Sequence, residues 1–410
     1  MNLEFAAHAV QERLPSYTSD PAVPHLTPAI GSDSYAEWLK AIPQHATASL
    51  YLHVPFCRSL CWYCGCHTAI ANRDQPIAVY ESALRCEIDL VSNQIARRLK
   101  VDHIRFGGGT PTIMAPESFA DLIGAIRQAF FVLPAAEIAV DTDPRTLAPA
   151  MIEALALGGV NRASLGVQSF DPVVQHAINR VQSFEQTAAA ATGLRRAGIA
   201  GITLDLLYGL PHQTIASCLD TVRRCVELRP DRFAVFGYAH VPALRRHQRM
   251  IGEGWLPDSL ERLDQSDAIA NALTEAGYVR IGPDHFALPG DAMAVALRQG
   301  SLRRNLKGYT ADAGNIVLGF GASAIGQLPQ GYVQNAVHTG AYSESIASGR
   351  LATAKGCDLT DGVIDIDDAA PTLADNPPFL VRSAKSLVDA PVDWSTRLRS
   401  RAGLAPFRFD

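Results

Sequence analysis

The residues best suited to chemistry lie in one short cysteine-rich stretch. Cys57, Cys61 and Cys64 follow a C-x3-C-x2-C spacing, and Cys66 comes two residues later. The chain has eight cysteines, and half of them lie in this window. Soft thiolate ligands are typical of zinc sites and of iron–sulfur clusters. The spacing therefore predicts a metal centre on the loop that follows the apolar run Ala48–Val54.

Three explanations of the cysteine cluster differ in how many ligands they need. Structural zinc sites usually pair a C-x2-C with a second ligand pair further along, and no second C-x2-C or H-x3-H pair is present here. Three thiolates on one loop suit a [4Fe–4S] cubane, because they bind three irons and leave the fourth open to a ligand. Buried cysteines without a metal are the remaining alternative. We expect the four isolated cysteines to be inert: Cys86, Cys218, Cys225 and Cys357.

Length and composition limit the function classes. The chain has 410 residues, 48% of them hydrophobic, which is typical of a globular protein with more than one domain. A formal net charge of -5 gives no support for binding to nucleic acid or to an anionic membrane surface. No secretory signal or transmembrane run is apparent, so we expect a cytoplasmic protein. Clustered thiols in that compartment hold metals more often than disulfides.

Strands and helices are predicted to alternate from residue 48 onwards, which is typical of βαβ units and a parallel sheet. The predicted strands are Ala48–Val54, Val101–Phe106, Glu137–Asp141, Arg162–Leu165, Gly201–Leu206 and Arg232–Phe236. The predicted helices are Ile77–Leu99, Pro116–Phe130, Pro149–Ala156, Pro172–Ile178, Phe184–Ala197 and Ile215–Leu228. The pattern predicts an α/β fold with a partial (βα)6 barrel, short of the usual eight units.

Four segments differ in character along the chain. Residues 1–47 are rich in proline and read as an N-terminal arm, with a short helix predicted at Glu4–Arg13. Residues 48–240 form the predicted barrel core, and residues 241–356 an α/β extension that completes the substrate cavity. Residues 357–410 read as an atypical C-terminal tail. No internal repeat is apparent.

Polar residues follow the ends of several predicted strands. The glycine-rich turn 107–110 follows one strand, and Asp141, Gln168 and Asp205 lie at the ends of three others. Parallel α/β folds bind their ligands at the carboxyl edge of the sheet. With Arg180 nearby, these side chains predict a site for a polar ligand at that edge.

The cysteine loop resembles that of the radical S-adenosylmethionine enzymes, because an aromatic residue, Tyr63, precedes the third cysteine. Further segments resemble one family of that superfamily, the oxygen-independent coproporphyrinogen III oxidases. Cys66 favours this family over the related heme chaperones, which carry a different residue there. The matching segments are residues 64–66, 107–112, 166–168, 205–211, 238–240, 284–286, 304–310 and 321–325.

The resemblance implies an oxidoreductase of heme and porphyrin biosynthesis. Such an enzyme converts two propionates of coproporphyrinogen III to vinyl groups, with loss of CO2, and gives protoporphyrinogen IX. The resemblance implies one [4Fe–4S] cluster on Cys57, Cys61 and Cys64, and two molecules of S-adenosylmethionine. The first is cleaved to a 5′-deoxyadenosyl radical. It further implies a monomer with a flavodoxin- or ferredoxin-like one-electron donor, and no nucleic-acid or membrane partner.

Residue roles are carried over from the family position by position. Cys66 and Tyr51 are expected to take part in catalysis. The residues expected at the first S-adenosylmethionine are Tyr51, Gly108, Asp141 and Ile325. Those expected at the second are Tyr63, Gly109, Thr110, Gln168, Arg180, Asp205 and Ala239. The candidates for binding the substrate propionates are Arg303, Arg304, Lys307, His240 and His285.

Each role has a plainer alternative. Tyr51 is otherwise an ordinary strand aromatic, and Tyr63 a residue that packs the loop. Asp143, near the end of the third strand, is otherwise a helix cap. Ala239 and Ile325 have no polar side chain, so they would contribute backbone groups or apolar surface, and core packing explains them equally well.

The sequence departs from the family in three places. Asp141 stands where the family has a longer acid. Ser16 and Asp20 replace a basic and an aromatic residue in the N-terminal arm. Beyond about residue 358 the resemblance to the family's helical C-terminal domain ends, and a reading-frame change near the codon of Asp361 would explain this. The alternatives to the oxidase are a heme-binding chaperone, another radical enzyme acting on tetrapyrroles, or an inactive copy.

Overall fold

The structure is a computed structural model that describes residues 26–305, 308–311, 314 and 316–359. All of the described residues belong to one compact unit, and the second unit, Val363–Asp410, lies outside the described residues. The predicted helix Glu4–Arg13, the departures at Ser16 and Asp20, the substrate candidate Lys307 and the tail beyond residue 359 also lie outside them.

The described residues form sixteen strands, ten α-helices and three short 3-10 helices. The strands are β1 (Thr47–Val54), β2 (Phe56–Cys57), β3 (Ala69–Ile70), β4 (Lys100–Gly108), β5 (Phe131–Thr142), β6 (Arg162–Gln168), β7 (Gly201–Tyr208), β8 (Arg232–Gly237), β9 (Val279–Ile281), β10 (His285–Ala287), β11 (Arg303–Asn305), β12 (Gly308–Thr310), β13 (Ile316–Phe320), β14 (Ile325–Leu328), β15 (Gly331–Asn335) and β16 (Thr353–Asp358). The helices are α1 (Ser32–Lys40), α2 (Gln75–Gln94), α3 (Pro116–Ala129), α4 (Pro149–Leu157), α5 (Pro172–Ala177), α6 (Phe184–Arg196), α7 (Ile215–Glu227), α8 (Ser259–Glu275), α9 (Ala292–Arg298) and α10 (Thr339–Ala347).

Twelve of these strands form one sheet in the order β16-β15-β14-β13-β1-β4-β5-β6-β7-β8-β10-β9. The six predicted strands are β1 and β4 to β8, and they pair in parallel in chain order. β13 adds a parallel strand on the other side of β1, and antiparallel strands extend both ends. Among the described strands the order runs from β16 to β9 and no pairing closes it, which confirms the predicted partial barrel.

One sheet runs through both the predicted core and the predicted extension. β13 to β16 lie beyond residue 240 and yet continue the sheet from β1. Hydrophobic side chains from both parts share one buried cluster, to which Leu50 contributes from β1 and Leu318 from β13. The boundary near residue 240 therefore stays a prediction, and the two predicted segments on either side of it contribute strands to the same sheet.

Two predicted elements differ from the structure by five or six residues at one end: β5 begins at Phe131 and not at Glu137, and α2 ends early. The sequence predicts this helix to Leu99, but it ends at Gln94. Ile95 takes an extended backbone conformation, and both Ile95 and Leu99 are buried in the connection to β4. Their burial continues the apolar spacing of the helix, which is why the pattern predicts a longer one.

A buried carboxyl on α2 connects this helix to the loop after β13. The Glu87 carboxyl accepts hydrogen bonds from the backbone N–H of Gly321 at 2.6 Å, from the Tyr342 hydroxyl at 2.8 Å and from the Asn335 amide at 2.5 Å. Burial raises the pKa of Glu87 to about 7, and these three donors oppose the shift. The carboxyl thereby positions the loop that leads to Ile325.

The raised pKa of Glu87 predicts a pH-dependent stability. An unfolded glutamate titrates near about pH 4.3, so the folded state binds the proton more tightly. The contribution of Glu87 to stability is then greatest below that pH and falls as the pH rises towards about 7. We expect Glu87→Gln to flatten this dependence, measured as melting temperature against pH for both proteins. Parallel curves for the two proteins would contradict the prediction.

Candidate active site

The cysteine loop begins at β2 and ends before β3, at the carboxyl end of β1. Cys61 is buried, whereas Cys57, Cys64 and Cys66 are partly exposed. The Thr68 hydroxyl lies 3.4 Å from the Cys57 sulfur and donates to it. Burial raises the pKa of the Cys57 thiol, and the hydrogen bonds to it oppose this.

Two guanidinium groups, one buried (Arg180) and one partly buried (Arg145), approach the central cysteine. Arg145 Nη2 and Arg180 Nη1 each lie 3.6 Å from the Cys61 sulfur. Thiolates are the form of cysteine that binds metals. The two guanidinium groups would offset the negative charge that a thiolate-bound cluster brings. The donor set therefore fits an iron–sulfur cluster bound through this loop.

The glycine-rich turn after β4 packs directly against the cysteine loop. Gly108 has φ +109°, and a Cβ added there would lie 2.8 Å from the His53 ring. A Cβ on Gly109 would lie 2.5 Å from the carbonyl oxygen of Phe56. Only glycine permits this approach. The Thr110 hydroxyl, next in the chain, lies 3.4 Å from the Cys57 sulfur, so the turn and the loop form one surface.

The ends of β1, β5 and β7 bring Tyr51, Asp141 and Asp205 together. A Cβ on Gly107 would lie 2.8 Å from Asp141 Oδ2 and 3.0 Å from Tyr51 Cε2, so both side chains flank this glycine. Burial and the charge of Asp141 raise the pKa of Asp205 to about 6. Arg105 Nη2 donates to Asp141 at 3.0 Å, and the sequence reasoning missed this arginine.

Gln168 and Arg180 form a second polar group, and both side chains lie next to Gly166. Arg180 Nη2 donates to the Gly166 carbonyl at 2.6 Å. Gln168 has φ +68°, is 5% exposed, and its Oε1 has no partner among the residues that the structure describes. A strained backbone combined with an unpaired buried acceptor is a frequent mark of a ligand site. This observation fits a polar cofactor at the carboxyl edge of β6.

Asp143 is an ion-pair residue and not a helix cap. Its carboxylate accepts hydrogen bonds from Arg145 at 2.6 to 3.1 Å and lies 3.5 Å from Arg180. Burial acts to raise its pKa, but the two arginines outweigh burial and lower it. The next helix begins only at Pro149, so the alternative of a cap at Asp143 does not hold.

Three consecutive carbonyls of the cysteine loop bind side chains from the segment after β8. The Gln248 amide donates to the Tyr63 carbonyl at 3.0 Å and to the Ala239 carbonyl at 3.1 Å. His247 Nε2 lies 2.7 Å from the Cys64 carbonyl oxygen. Arg245 Nε donates to the Gly65 carbonyl at 2.9 Å. We call this set, Arg245, His247 and Gln248, the carbonyl clamp.

Comparisons with known proteins agree with this geometry. The sequence profile of the Radical SAM superfamily matches residues 51–225. The oxygen-independent coproporphyrinogen III oxidase of Bradyrhizobium diazoefficiens is 57% identical over 98% of this chain and 100% of its own length. The enzyme of that name from Paracoccus denitrificans is 45% identical over 84% of this chain and 76% of its own.

The chain belongs to the oxygen-independent coproporphyrinogen III oxidases. Among solved structures, coproporphyrinogen III oxidase from Escherichia coli, a radical SAM enzyme, matches with a TM-score of 0.81. That match has 35% sequence identity and covers 88% of this chain and 81% of the other. The family resemblance, the radical SAM fold and the oxidoreductase class predicted from the sequence are therefore confirmed.

For the other residues expected from the family, the structure shows fewer contacts with the cysteine loop and the polar groups described above. Ile325 begins β14, and its carbonyl oxygen would lie 2.5 Å from a Cβ on Gly319. Among the substrate candidates, His240 Nδ1 lies 2.8 Å from the Tyr238 hydroxyl, and His285 Nδ1 lies 2.8 Å from Asp284 Oδ1. The binding roles of these residues remain predictions.

Substituting Gln248 in the carbonyl clamp tests whether the charge of this side chain matters when its size is kept. Gln248 is fully buried, and its Oε1 accepts from the Val241 N–H at 2.5 Å. Gln248→Glu keeps the size and this acceptor but places a carboxylate oxygen against two carbonyls. We expect Gln248→Glu to lower iron retention and turnover by about 10- to 100-fold, as for residues that orient metal ligands. Gln248→His, which retains a donor, should lose less.

The clamp prediction is measured by iron content and by the EPR line shape of the reduced protein, together with turnover. A residue that only supports folding would lower yield without changing the spectrum of the remaining cluster. Unchanged EPR and turnover in Gln248→Glu would contradict the role assigned to this amide.

Two features are absent from the part of the chain that the structure describes. Among these residues, no group of three or more His, Cys, Asp or Glu side chains is placed to share a single metal ion. None of the described helices combines the length and the hydropathy that a membrane span needs.

Proposed function

We propose that this chain catalyses the oxygen-independent oxidation of coproporphyrinogen III to protoporphyrinogen IX in heme biosynthesis. The observation that carries the proposal is the cysteine loop, with Cys61 between Arg145 and Arg180, in a chain 57% identical to an oxidase of this name. Two propionates of the substrate would each lose a hydrogen atom from the β-carbon, then CO2 and one electron, and so become vinyl groups.

Enzymes of the radical SAM superfamily use a [4Fe–4S] cluster and S-adenosylmethionine, and this chain has the residues for both. We propose one cluster, held by Cys57, Cys61 and Cys64, and two molecules of S-adenosylmethionine. When bound, these groups supply a 5′-deoxyadenosyl radical that removes a hydrogen atom from a substrate propionate. For the first molecule the proposed contacts are Tyr51, Gly108, Asp141 and Ile325. For the second they are Tyr63, Gly109, Thr110, Gln168, Arg180, Asp205 and Ala239.

The chain's own residues would orient these groups and exclude water. Asp205 accepts from the Ser164 hydroxyl at 2.7 Å, which fixes the carboxylate for further hydrogen bonds to ligand hydroxyls. Cys61 and Tyr63 belong to an apolar cluster with Ile178 and Leu210. Because this cluster excludes water from one side of the loop, it would strengthen electrostatic interactions there and protect reactive species from solvent.

Cys66 and Tyr51 are the proposed catalytic residues beyond the metal ligands. The Cys66 thiol is hydrogen-bonded to Cys64, and this contact together with burial raises the pKa of Cys64. Burial and the charge of Asp141 raise the pKa of Tyr51, with Cys66 adding a smaller effect. The two residues thus lie within electrostatic reach of each other beside the proposed ligands of the cluster.

Substrate and partner assignments belong to the same proposal. The substrate propionates are anionic, and Arg303, Arg304, His240 and His285 supply cationic or hydrogen-bonding groups beyond β8. The Arg304 guanidinium lies 5.8 Å from the centre of the Tyr309 ring, a cation–π distance that orders both side chains. We further propose a flavodoxin- or ferredoxin-like one-electron donor, a monomeric state and a cytoplasmic location.

The test is anaerobic incubation of the reconstituted protein with coproporphyrinogen III, S-adenosylmethionine and dithionite. We expect protoporphyrinogen IX and two CO2 per substrate, with 5′-deoxyadenosine and methionine as co-products. Heme binding without turnover would instead support the chaperone alternative. Cleavage of S-adenosylmethionine only with another tetrapyrrole would assign a different substrate.

A further inference from the structure

The segment between β8 and α8 covers the cysteine loop and continues to the protein surface. On its inner side, the carbonyl clamp binds the backbone of residues 63–65. Gln248 is fully buried, whereas His247 is only partly buried although it contacts the Cys64 carbonyl. One short segment therefore joins the proposed metal loop to solvent.

The outer side of this segment carries cations and large apolar side chains. Arg246 and Arg249 are exposed, and neither has an ion-pair partner among the residues that the structure describes. Leu244 is 78% exposed, Met250 56% and Trp255 50%. The chain as a whole has a net charge of -5, whereas residues 244–255 contain three arginines and a histidine against one glutamate, Glu253, so this segment is locally basic.

We propose that residues 244–255, the docking segment, form the binding surface for an acidic, flavodoxin-like electron donor. This inference rests on the proposed function, which requires one electron to reach the cluster. The reduced flavin of the donor would lose one electron and the cluster would gain it, so no other reactant is needed. The identity of the partner follows from charge: an acidic protein complements exposed arginines and is steered towards them.

Three features of the docking segment suit electron transfer better than other roles. Arginine, methionine and tryptophan are enriched at protein interfaces, and the segment exposes all three. The contact between His247 and the Cys64 carbonyl gives a short bonded route from surface to loop. The arginines also lie on the outer side of a segment whose inner side is occupied by the cysteine loop, which favours a protein partner over the substrate.

The test compares two double charge reversals. Arg246→Glu with Arg249→Glu changes the docking segment, and Arg196→Glu with Arg298→Glu makes the same change at exposed arginines on α6 and α9. Each reconstituted protein is mixed anaerobically with reduced flavodoxin or with dithionite, and cluster reduction is followed by bleaching of its visible absorbance. Product formation with dithionite is measured in parallel.

We expect the docking variant to slow reduction by flavodoxin about tenfold at low salt, with a difference that shrinks as salt rises. Reduction by dithionite, and turnover with it, should match the wild type, and the control variant should behave as the wild type throughout. Equal reduction by flavodoxin in all three proteins would overturn the proposal. So would a raised KM for coproporphyrinogen with dithionite, which would assign the arginines to the substrate, or an altered oligomeric state.

The readouts separate this proposal from the proposed function. Failure of the docking proposal appears in the rate at which flavodoxin reduces the cluster, whether or not product forms. Failure of the proposed function appears as absence of product with dithionite, where no donor protein is present.

Discussion

Replacing Cys61 with alanine is expected to abolish S-adenosylmethionine cleavage and to leave the protein without an intact cluster. Cys61 is the buried thiol of the loop, and two arginines lie 3.6 Å from its sulfur. Its loss would remove one of the three proposed cluster ligands and leave the two guanidinium groups without the Cys61 sulfur. The measurements are iron and sulfide content after anaerobic reconstitution, and formation of 5′-deoxyadenosine.

Two cysteines provide matched controls for this substitution. Cys86 is exposed on α2, and Cys218 is buried on α7, so Cys86→Ala and Cys218→Ala report on loss of a thiol in either environment. We expect both to retain iron and turnover. If Cys61→Ala kept the same iron content and cleavage rate as these controls, the loop would not be the metal site.

The second large effect is on stability. It involves an ion-pair network at the amino ends of the strands, away from the proposed site at their carboxyl ends. Asp291 Oδ2 accepts from Arg162 at 3.0 Å, and the carboxylate accepts from Arg232 Nε at 2.9 Å. These arginines begin β6 and β8, and Arg232 also binds Glu137 at 3.0 and 3.1 Å. Burial acts to raise the pKa of Glu137, but Arg232 and Arg162 outweigh burial and lower it to about 2.

Asp291→Ala is expected to reduce the free energy of unfolding by about 3 kcal/mol, the lower end for a broken buried ion pair, because Arg162 and Arg232 lose one of the two carboxylates they share and keep only Glu137. The Asp291 side chain is 4% exposed, and it also caps α9 through the Met293 N–H. The effect is measured by denaturant unfolding. Turnover below the unfolding transition should remain close to wild type, since the proposed site lies at the carboxyl ends of the strands.

An exposed ion pair provides the control for the stability prediction. Asp220 pairs with Arg223 on α7, with the two side chains 53% and 46% exposed. Asp220→Ala should cost about 0–1 kcal/mol, as is usual for surface pairs. Equal losses in Asp220→Ala and Asp291→Ala would show that the buried network does not stabilise the fold.

The parallel sheet was predictable because each buried strand is a short apolar run followed by a helical pattern. Parallel pairing then requires that residues at neighbouring strand ends lie at one edge of the sheet, which is how Asp141, Gln168 and Asp205 were predicted to share a site. β13 was not predicted as a partner of β1, because nothing local to residues 316–320 indicates which strand they join.

The contacts that sequence reasoning missed are those formed by polar residues far apart in the chain. Gln248 and Tyr63 are separated by 185 positions, and no spacing rule relates them. Glu87 reads as a surface residue of a helix, but the loop at Gly321 buries it. Arg145 had a weak signal, since it follows Asp143 by two positions, where a backbone turn allows both to pair.

The central claim is that three thiolates hold a cubane whose fourth iron is open to S-adenosylmethionine. The most direct measurement is pulsed EPR of the reduced protein with S-adenosylmethionine carrying 15N at the amine and 17O at the carboxylate. The account predicts hyperfine coupling of both nuclei to the cluster, absent when unlabelled cofactor is used. A cluster signal that is unaffected by the labelled cofactor, or a colourless protein that holds one zinc per chain, would contradict it.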